Sequence, residues 1–177
     1  MTKPENTIIK DDKRRGEWAE TVFMARAAEH GLPVSKPMGE SDSFDCVVGY
    51  PGKFVAVQVK CTMAKPEAGK GYKCSLMMSH NQKYREGAFD FVAAYVIPED
   101  AWYIVPAKLI LGQATMRLGG PLGRFEQYRE AWHLLREAVA CEEIKEQPEP
   151  EPLVESPVMR RMRASFGFMR RRLVGEE

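Results

Sequence analysis

The stretch FDCVVGYPGKFVAVQVK, residues 44–60, decides the fold, because it predicts a β-hairpin whose two faces differ in chemistry. Pro51 followed by Gly52 suits the two central positions of a type II turn, since proline fixes φ and glycine accepts a positive φ. A symmetric hairpin about this turn gives three apolar pairs on one face: Phe44 with Val59, Cys46 with Val57, and Val48 with Val55. A shift of one residue in the pairing of the two strands would move these apolar side chains off this face. The apolar pattern therefore predicts both the register and a buried face.

The opposite face of the hairpin gathers polar side chains at one end. Asp45 is expected opposite Gln58, with Lys60 on the diagonal, within about 4.5 to 8 Å of one another. Three further residues on this face are apolar and are expected to be covered for most of its length: Val47, Phe54 and Ala56. The alternative is a solvated face of an edge hairpin. Polar groups at one end of a covered face favour a functional site over that alternative.

These residue types suit metal-dependent hydrolysis of a phosphodiester, which requires a cation on the phosphate, an activated water and a positive group where charge develops. Asp45 offers a hard carboxylate oxygen of the kind that Mg²⁺ prefers, and the Gln58 side chain offers a neutral oxygen. The Val59 carbonyl is a third candidate ligand. Lys60 follows two residues after Gln58 and can hold the attacking water or a phosphate oxygen.

The rest of the chain predicts an alternation of helices and strands. An amphipathic helix is expected from Asp12 to Gly31 and a second one from Arg124 through Val139, both from apolar spacings of three and four. Pro106 is expected to open a short helix that Ala107–Leu111 continues. Strands are expected at Leu32–Val34, Tyr72–Met78, Phe89–Ile97 and Trp102–Val105, the last two as a hairpin.

The helix pattern Gly16-x-x-x-Glu20, then Gly31, Asp45 and Gln58-Val59-Lys60, resembles the PD-(D/E)xK nuclease superfamily. The closest resemblance is to its branch that contains group I intron homing endonucleases, over about residues 14 to 110. The resemblance implies a mixed α/β, restriction-endonuclease-like core with a central mixed sheet flanked by helices. It also implies that Glu20, Asp45, Gln58 and Lys60 form the catalytic site.

The resemblance adds Glu20 to the candidate ligands given above, so the expected metal ligands are Glu20, Asp45, Gln58 and the Val59 carbonyl. Glu20 is preferred to Glu17, which lies one turn away and is the alternate. Gln58 stands where most of the superfamily keeps a carboxylate, so the site has one negative charge fewer. The expected metal is Mg²⁺, bound weakly, with Mn²⁺ as a substitute and with no small-molecule cofactor.

The expected function is a Mg²⁺-dependent DNA endonuclease that acts as a homo-oligomer, a dimer or a tetramer, so that both strands are cut. The alternative is a non-catalytic DNA-binding or interaction protein that keeps the nuclease fold. The sequence has no long apolar stretch and no secretory pattern at Met1–Arg15, which predicts a cytoplasmic protein. The four cysteines, at positions 46, 61, 74 and 141, lack the C-x-x-C spacing of zinc sites and are expected to be free thiols.

Charge divides the chain into three expected parts. Residues 1–141 form the nuclease-like domain and carry 19 basic and 17 acidic side chains. Residues 142–157 are rich in proline and glutamate and are expected to form a disordered linker. Residues 158–177 form a basic tail with 6 arginines and 2 glutamates. For this tail a DNA-phosphate contact, a membrane-surface contact and a solvated end all stay open.

Overall fold

The computed structural model describes residues 9–39, 42–63, 71–78, 82–120 and 123–140. The predicted linker and basic tail therefore lie outside the described residues. The helices and strands are α1 (Asp12–Glu29), β1 (Val34–Ser35), β2 (Cys46–Tyr50), β3 (Lys53–Thr62), β4 (Tyr72–Ser75), β5 (Phe91–Val96), β6 (Ala101–Pro106), β7 (Thr115–Leu118) and α2 (His133–Val139). None of the helices in these ranges is long and apolar enough to cross a membrane.

The central sheet has five strands in the order β1-β2-β3-β5-β6. β3 pairs with β5 in parallel, whereas the other neighbours are antiparallel. The predicted mixed sheet is therefore confirmed. β3 lies at its centre.

The hairpin of β2 and β3 has the predicted register from Cys46 opposite Val57 to Tyr50 opposite Lys53. Gly49 sits at φ 141°, and a Cβ atom there would lie 2.2 Å from the Lys53 carbonyl oxygen, so the hairpin requires glycine at this position.

The expected position of Phe44 was wrong. Phe44 precedes β2 and packs on the opposite side of the sheet from Val59, because the chain bends at Asp45 before the ladder begins.

One face of the sheet carries both helices. Phe23 of α1 packs against Trp102 and Trp132, with ring centroids 5.6 and 5.7 Å apart, and Trp102 also stacks on Tyr95. Buried residues of β2 and β3, including Val57, complete this cluster. The flanking helices are confirmed, and they share one face of the sheet.

The other face of the sheet is covered by a two-stranded ribbon of β4 and β7. β7 was not predicted, since its pairing with β4 joins segments about 40 residues apart in sequence. Towards the hairpin tip this face is open, with Phe54 54% exposed. The prediction that this face is covered is therefore correct near Ala56 and wrong at Phe54.

The short helix after Pro106 is a 3-10 turn over Ala107–Leu109.

The single helix predicted from Arg124 to Val139 was wrong. A 3-10 turn spans Glu126–Tyr128, Glu130 adopts φ 50°, and α2 begins only at His133. The break lets this segment bond to the edge strand β6. The Glu130 amide donates to the Trp102 carbonyl at 2.7 Å, and its carboxylate accepts from the Trp102 amide at 2.6 Å and from the Trp132 indole at 2.8 Å. These bonds offset the loss of helical ones.

Replacing Glu130 with alanine is expected to lower the free energy of unfolding by about 2 to 4 kcal/mol, because two buried N–H donors lose a charged acceptor. Urea denaturation followed by tryptophan fluorescence measures the change. Glu137→Ala, at an exposed position of α2, is the matched control and should change stability by less than about 0.5 kcal/mol. Equal effects of the two substitutions would contradict the structural role of Glu130.

Candidate active site

A polar groove of about 750 Å³ opens between α1, the end of the β2–β3 hairpin and the segment that follows β4. Its lining includes all five residues that the sequence assigned to the site: Glu20, Asp45, Gln58, Val59 and Lys60. A second depression of about 360 Å³ adjoins it and is lined by Glu17, Glu20, Lys36 and Asp45 among others. The predicted site residues are therefore close together in space, although they come from three separate segments.

Asp45 is held by the adjacent strand. Its Oδ2 atom accepts a hydrogen bond from the Val59 amide at 2.7 Å and another from the Gln58 side-chain amide. The Asp45 amide in turn donates to the Val57 carbonyl at 3.0 Å. Both side-chain bonds reach the same oxygen, so the other oxygen, Oδ1, is without a hydrogen bond from the described part of the chain and is available to a ligand.

Gln58 is only 6% exposed. Its Nε2 group donates to Asp45 and lies 3.3 Å from the Val59 carbonyl. This assignment of the amide follows from its neighbours, since both are acceptors and only an N–H group can donate to them. The sequence interpretation considered the Gln58 oxygen as a ligand. The structure adds that the nitrogen of the same amide orients Asp45.

Lys60 lies on the same face of β3 as Gln58, as the alternation of a strand requires. Its ammonium donates to the Met77 carbonyl at 3.3 Å and lies 5.1 Å from the centre of the Tyr84 ring. Tyr84 in turn packs edge-on against Phe89. A cation over an aromatic face is attracted by the ring quadrupole, so these contacts position the ammonium at the groove.

Glu20 is presented by α1 and its side chain is 18% exposed. Its Oε2 atom lies 2.6 Å from the ammonium of Lys36, which follows directly after β1. Gly16 lies one turn before Glu20 on the same face of the helix, and no atom would lie within 4 Å of a Cβ placed there. The groove is therefore open above Glu20. Glu17 is exposed and lines the second depression.

The charges of the groove act on one another. Burial raises the pKa of Asp45 to about 6, and the negative charge of Glu20 adds to this rise. The Val59 amide, Lys60 and Lys36 act in the opposite direction and favour the ionised form. The hydrogen bond to Glu20 raises the pKa of Lys36, so this side chain is a cation at neutral pH. The two lysines thus partly offset the negative charges of Glu20 and Asp45.

Sequence reasoning missed three groups of the site: Lys36, Tyr84 and the Met77 carbonyl. The contacts of Lys36 with Glu20 and of Lys60 with Tyr84 span 16 and 24 positions and join separate segments. No local pattern predicts such contacts. A lysine beside a proline in a polar loop, as at Lys36, is too common in surface loops to indicate a site.

A family model for PD-(D/E)XK endonucleases matches residues 10–135, the span that holds every residue of the groove described above. The chain belongs to the PD-(D/E)XK endonuclease family. It is therefore related to nucleases, and the resemblance drawn from Glu20, Asp45 and Gln58-Val59-Lys60 is confirmed at the level of the family.

Among solved structures, the chain is similar to the bacterial homing endonuclease I-Ssp6803I, at 30% sequence identity and a TM-score of 0.62. The match covers 74% of this chain and 97% of that structure. No curated protein matches the chain significantly in sequence. The homing-endonuclease branch of the PD-(D/E)XK family is thus supported by the fold as well as by the sequence pattern.

PD-(D/E)XK nucleases typically use divalent metals, and the groove can be tested for its fit to one. The described residues contain no group of three or more histidine, cysteine or acidic side chains placed to hold a metal ion. The donors at hand are oxygens: the carboxylates of Asp45 and Glu20, with the Gln58 and Val59 oxygens beside them. Such a set fits a hard cation that keeps several water ligands, as Mg²⁺ does, and does not fit a soft metal.

The two glutamates of α1 offer a direct test of the site's geometry. Glu20→Gln is expected to lower the rate of any metal-dependent nicking of plasmid DNA by at least about tenfold, because it removes one of the two carboxylates proposed as metal ligands. Glu17→Gln is the matched control on the same helix and should stay within about twofold. If Glu17→Gln is the more damaging change, the site is centred one helical turn away.

Proposed function

We propose that this PD-(D/E)XK nuclease is a Mg²⁺-dependent DNA endonuclease that hydrolyses phosphodiester bonds. The observation that carries the proposal is the meeting of two carboxylates, Glu20 and Asp45, with the ammonium of Lys60 along one open groove. A bound divalent cation would supply a Lewis acid for the phosphate and a water of lowered pKa. Mn²⁺ is expected to substitute for Mg²⁺.

In this proposal Asp45 is the principal metal ligand, through the oxygen that the strand leaves available. Its orientation depends on the Val59 amide and the Gln58 side chain, which hold the other oxygen. Glu20 is the second charged ligand, and the Gln58 and Val59 oxygens are the neutral ones. An arrangement that is fixed before the substrate binds costs little reorganisation during the reaction.

Lys60 is proposed to act on the reacting groups as a hydrogen-bond donor. Its ammonium can orient the attacking water or stabilise the negative charge that develops on the phosphate oxygens. The Met77 carbonyl and the Tyr84 ring hold this ammonium near the metal ligands without neutralising it. A carboxylate partner would have weakened its attraction for phosphate.

DNA is the proposed substrate. A homo-oligomer is the proposed form, because a duplex has two strands and each chain would cut one of them. A homing endonuclease is a solved structural relative at 30% identity, which favours DNA over other phosphodiesters. The test is incubation of the purified protein with supercoiled plasmid in Mg²⁺, Mn²⁺ or EDTA. Nicked or linear product in the metal samples alone supports the proposal. DNA binding without nicking would favour the alternative, a non-catalytic DNA-binding protein.

Asp45→Asn is expected to reduce plasmid nicking by about a thousandfold or more while DNA affinity stays within a few-fold. Asparagine keeps an oxygen to accept the Val59 amide but removes the charge that the metal requires. Lys60→Ala is expected to be as inactive, because it removes the donor to the reacting groups. Nicking assays and fluorescence anisotropy with duplex DNA measure the two quantities. Undiminished nicking by Asp45→Asn would refute the site assignment.

Gln58→Glu is expected to keep nicking activity, to lower the Mg²⁺ concentration required, and to destabilise the metal-free protein. The new carboxylate would lie against that of Asp45 at a position only 6% exposed, and two such charges repel unless a proton or a cation lies between them. In thermal unfolding, the variant should melt a few degrees below the natural protein in EDTA and gain more from Mg²⁺. Gln58→Met, which has no charge to add, is the control and should show no added Mg²⁺ response.

If Gln58→Glu is folded but inactive at every Mg²⁺ concentration, the essential part of Gln58 is its N–H donor to Asp45. The metal would then be bound without the Gln58 oxygen. Thermal unfolding separates this result from simple misfolding, because a misfolded variant would show no cooperative transition.

A further inference from the structure

Lys36 occupies a defined place beside the groove. It follows β1, whose two residues pair with Val47 and Val48 of β2, and it precedes Pro37, so the backbone on both sides of it is restrained. Its ammonium lies 2.6 Å from Glu20 Oε2. The Lys36 side chain is 47% exposed, whereas that of Glu20 is 18% exposed. The lysine is therefore the partner that can move into solvent.

We propose that Lys36 is an internal counter-ion of the site, which holds Glu20 in the metal-free protein and is displaced toward a DNA phosphate when a divalent cation binds that carboxylate. This inference rests on the proposed function, since it requires a metal at Glu20. It assigns Lys36 a positioning role that connects metal binding with DNA binding.

The charge balance around Glu20 supports this role. Glu20 and Asp45 are close enough for the charge of Glu20 to raise the pKa of Asp45. A mostly buried carboxylate beside another needs a positive partner, and Lys36 supplies it when no metal is bound. A cation that binds Glu20 must therefore compete with the ammonium of Lys36 for the same oxygen.

Lys36 and Lys60 differ in how they are held. Lys60 contacts a main-chain carbonyl and an aromatic ring, neither of which a metal would take from it. The described contact of Lys36, in contrast, is to a candidate metal ligand. Metal binding consequently frees the ammonium of Lys36 and leaves that of Lys60 in place. A released ammonium at the mouth of a groove that receives DNA is suited to a phosphate oxygen.

The consequence is a coupling between two ligands. Metal on Glu20 makes Lys36 available to DNA, and DNA that engages Lys36 makes Glu20 available to metal. Because coupling of binding free energies is reciprocal, each ligand should tighten the other by the same factor. Loss of the lysine should therefore change the two affinities in opposite directions, whereas a merely structural lysine would weaken both.

The test compares the natural protein with Lys36→Met, which keeps the length of the side chain and removes its charge. Mn²⁺ alone is titrated without DNA and followed by the electron paramagnetic resonance signal of the free ion. The variant is expected to bind Mn²⁺ about three- to fivefold tighter, the effect of removing one partly exposed ion pair. Lys108→Met is the control, since Lys108 is an exposed lysine that lines neither the groove nor the second depression, and it should not change Mn²⁺ affinity.

Affinity for a short duplex DNA is then measured by fluorescence anisotropy, with Ca²⁺ and with EDTA, over a range of salt. Ca²⁺ should tighten DNA binding by the natural protein, and Lys36→Met should lose most of this gain. With Ca²⁺ present, the slope of the logarithm of DNA affinity against the logarithm of salt concentration should be smaller by about one for the variant. This is the change expected for the loss of one phosphate contact. In a Glu20→Gln background, Lys36→Met should leave Mn²⁺ affinity unchanged.

Two results separate the failure of this inference from the failure of the proposed function. Equal or weaker Mn²⁺ binding by a folded Lys36→Met protein would overturn the counter-ion role and leave the metal site intact. An effect of Lys36→Met that persists in the Glu20→Gln background would overturn it as well. If neither the natural protein nor the variant binds Mn²⁺, the metal site itself is refuted, and the role of Lys36 falls with it.

Discussion

The pairing of β2 with β3 determines both the core and the groove. Alternate residues of β3 face opposite sides of the sheet, so Val57 and Val59 enter the core under the helices while Gln58 and Lys60 reach the groove. A register shift of one residue would exchange these two sets. The same shift would expose the valines and bury the lysine, so the apolar packing of one face fixes the chemistry of the other.

Asp45 contributes both to the structure of this hairpin and to the groove. It lies where the chain bends before β2 begins, and its carboxylate accepts the Val59 amide as a structural bond. The same carboxylate offers its second oxygen to the groove. Burial raises its pKa, and under the proposed function a divalent cation would favour its ionised form. Under the proposed function, the side chain that holds the hairpin end is also the principal metal ligand.

The predictions from sequence succeeded where local pattern and turn chemistry determine the structure. The hairpin register followed from Pro51-Gly52 and the alternating valines, and α1 followed from its apolar stripe and Gly31. Phe44 was predicted on the wrong side of the sheet. Side chains alternate between the two faces only within a strand, and Phe44 lies before the bend that precedes β2. The break at Glu130 was missed for a similar reason, since its carboxylate bonds to Trp102 and Trp132, contacts that only the folded chain brings together.

The interior glycine of α1 shows that the helix is not optimised for its own stability. Glycine in a helix interior costs about 1 kcal/mol relative to alanine, and at Gly16 neither a positive φ nor a crowded neighbour requires it. Gly16 and Glu20 both line the groove, and a Cβ at Gly16 would point into open space. Stability selection alone would favour alanine at this position and would narrow the approach to the carboxylate. Under the proposed function, Gly16 is a position where an alanine that stabilises the helix would lie beside a metal ligand, so stability and activity would favour different residues there.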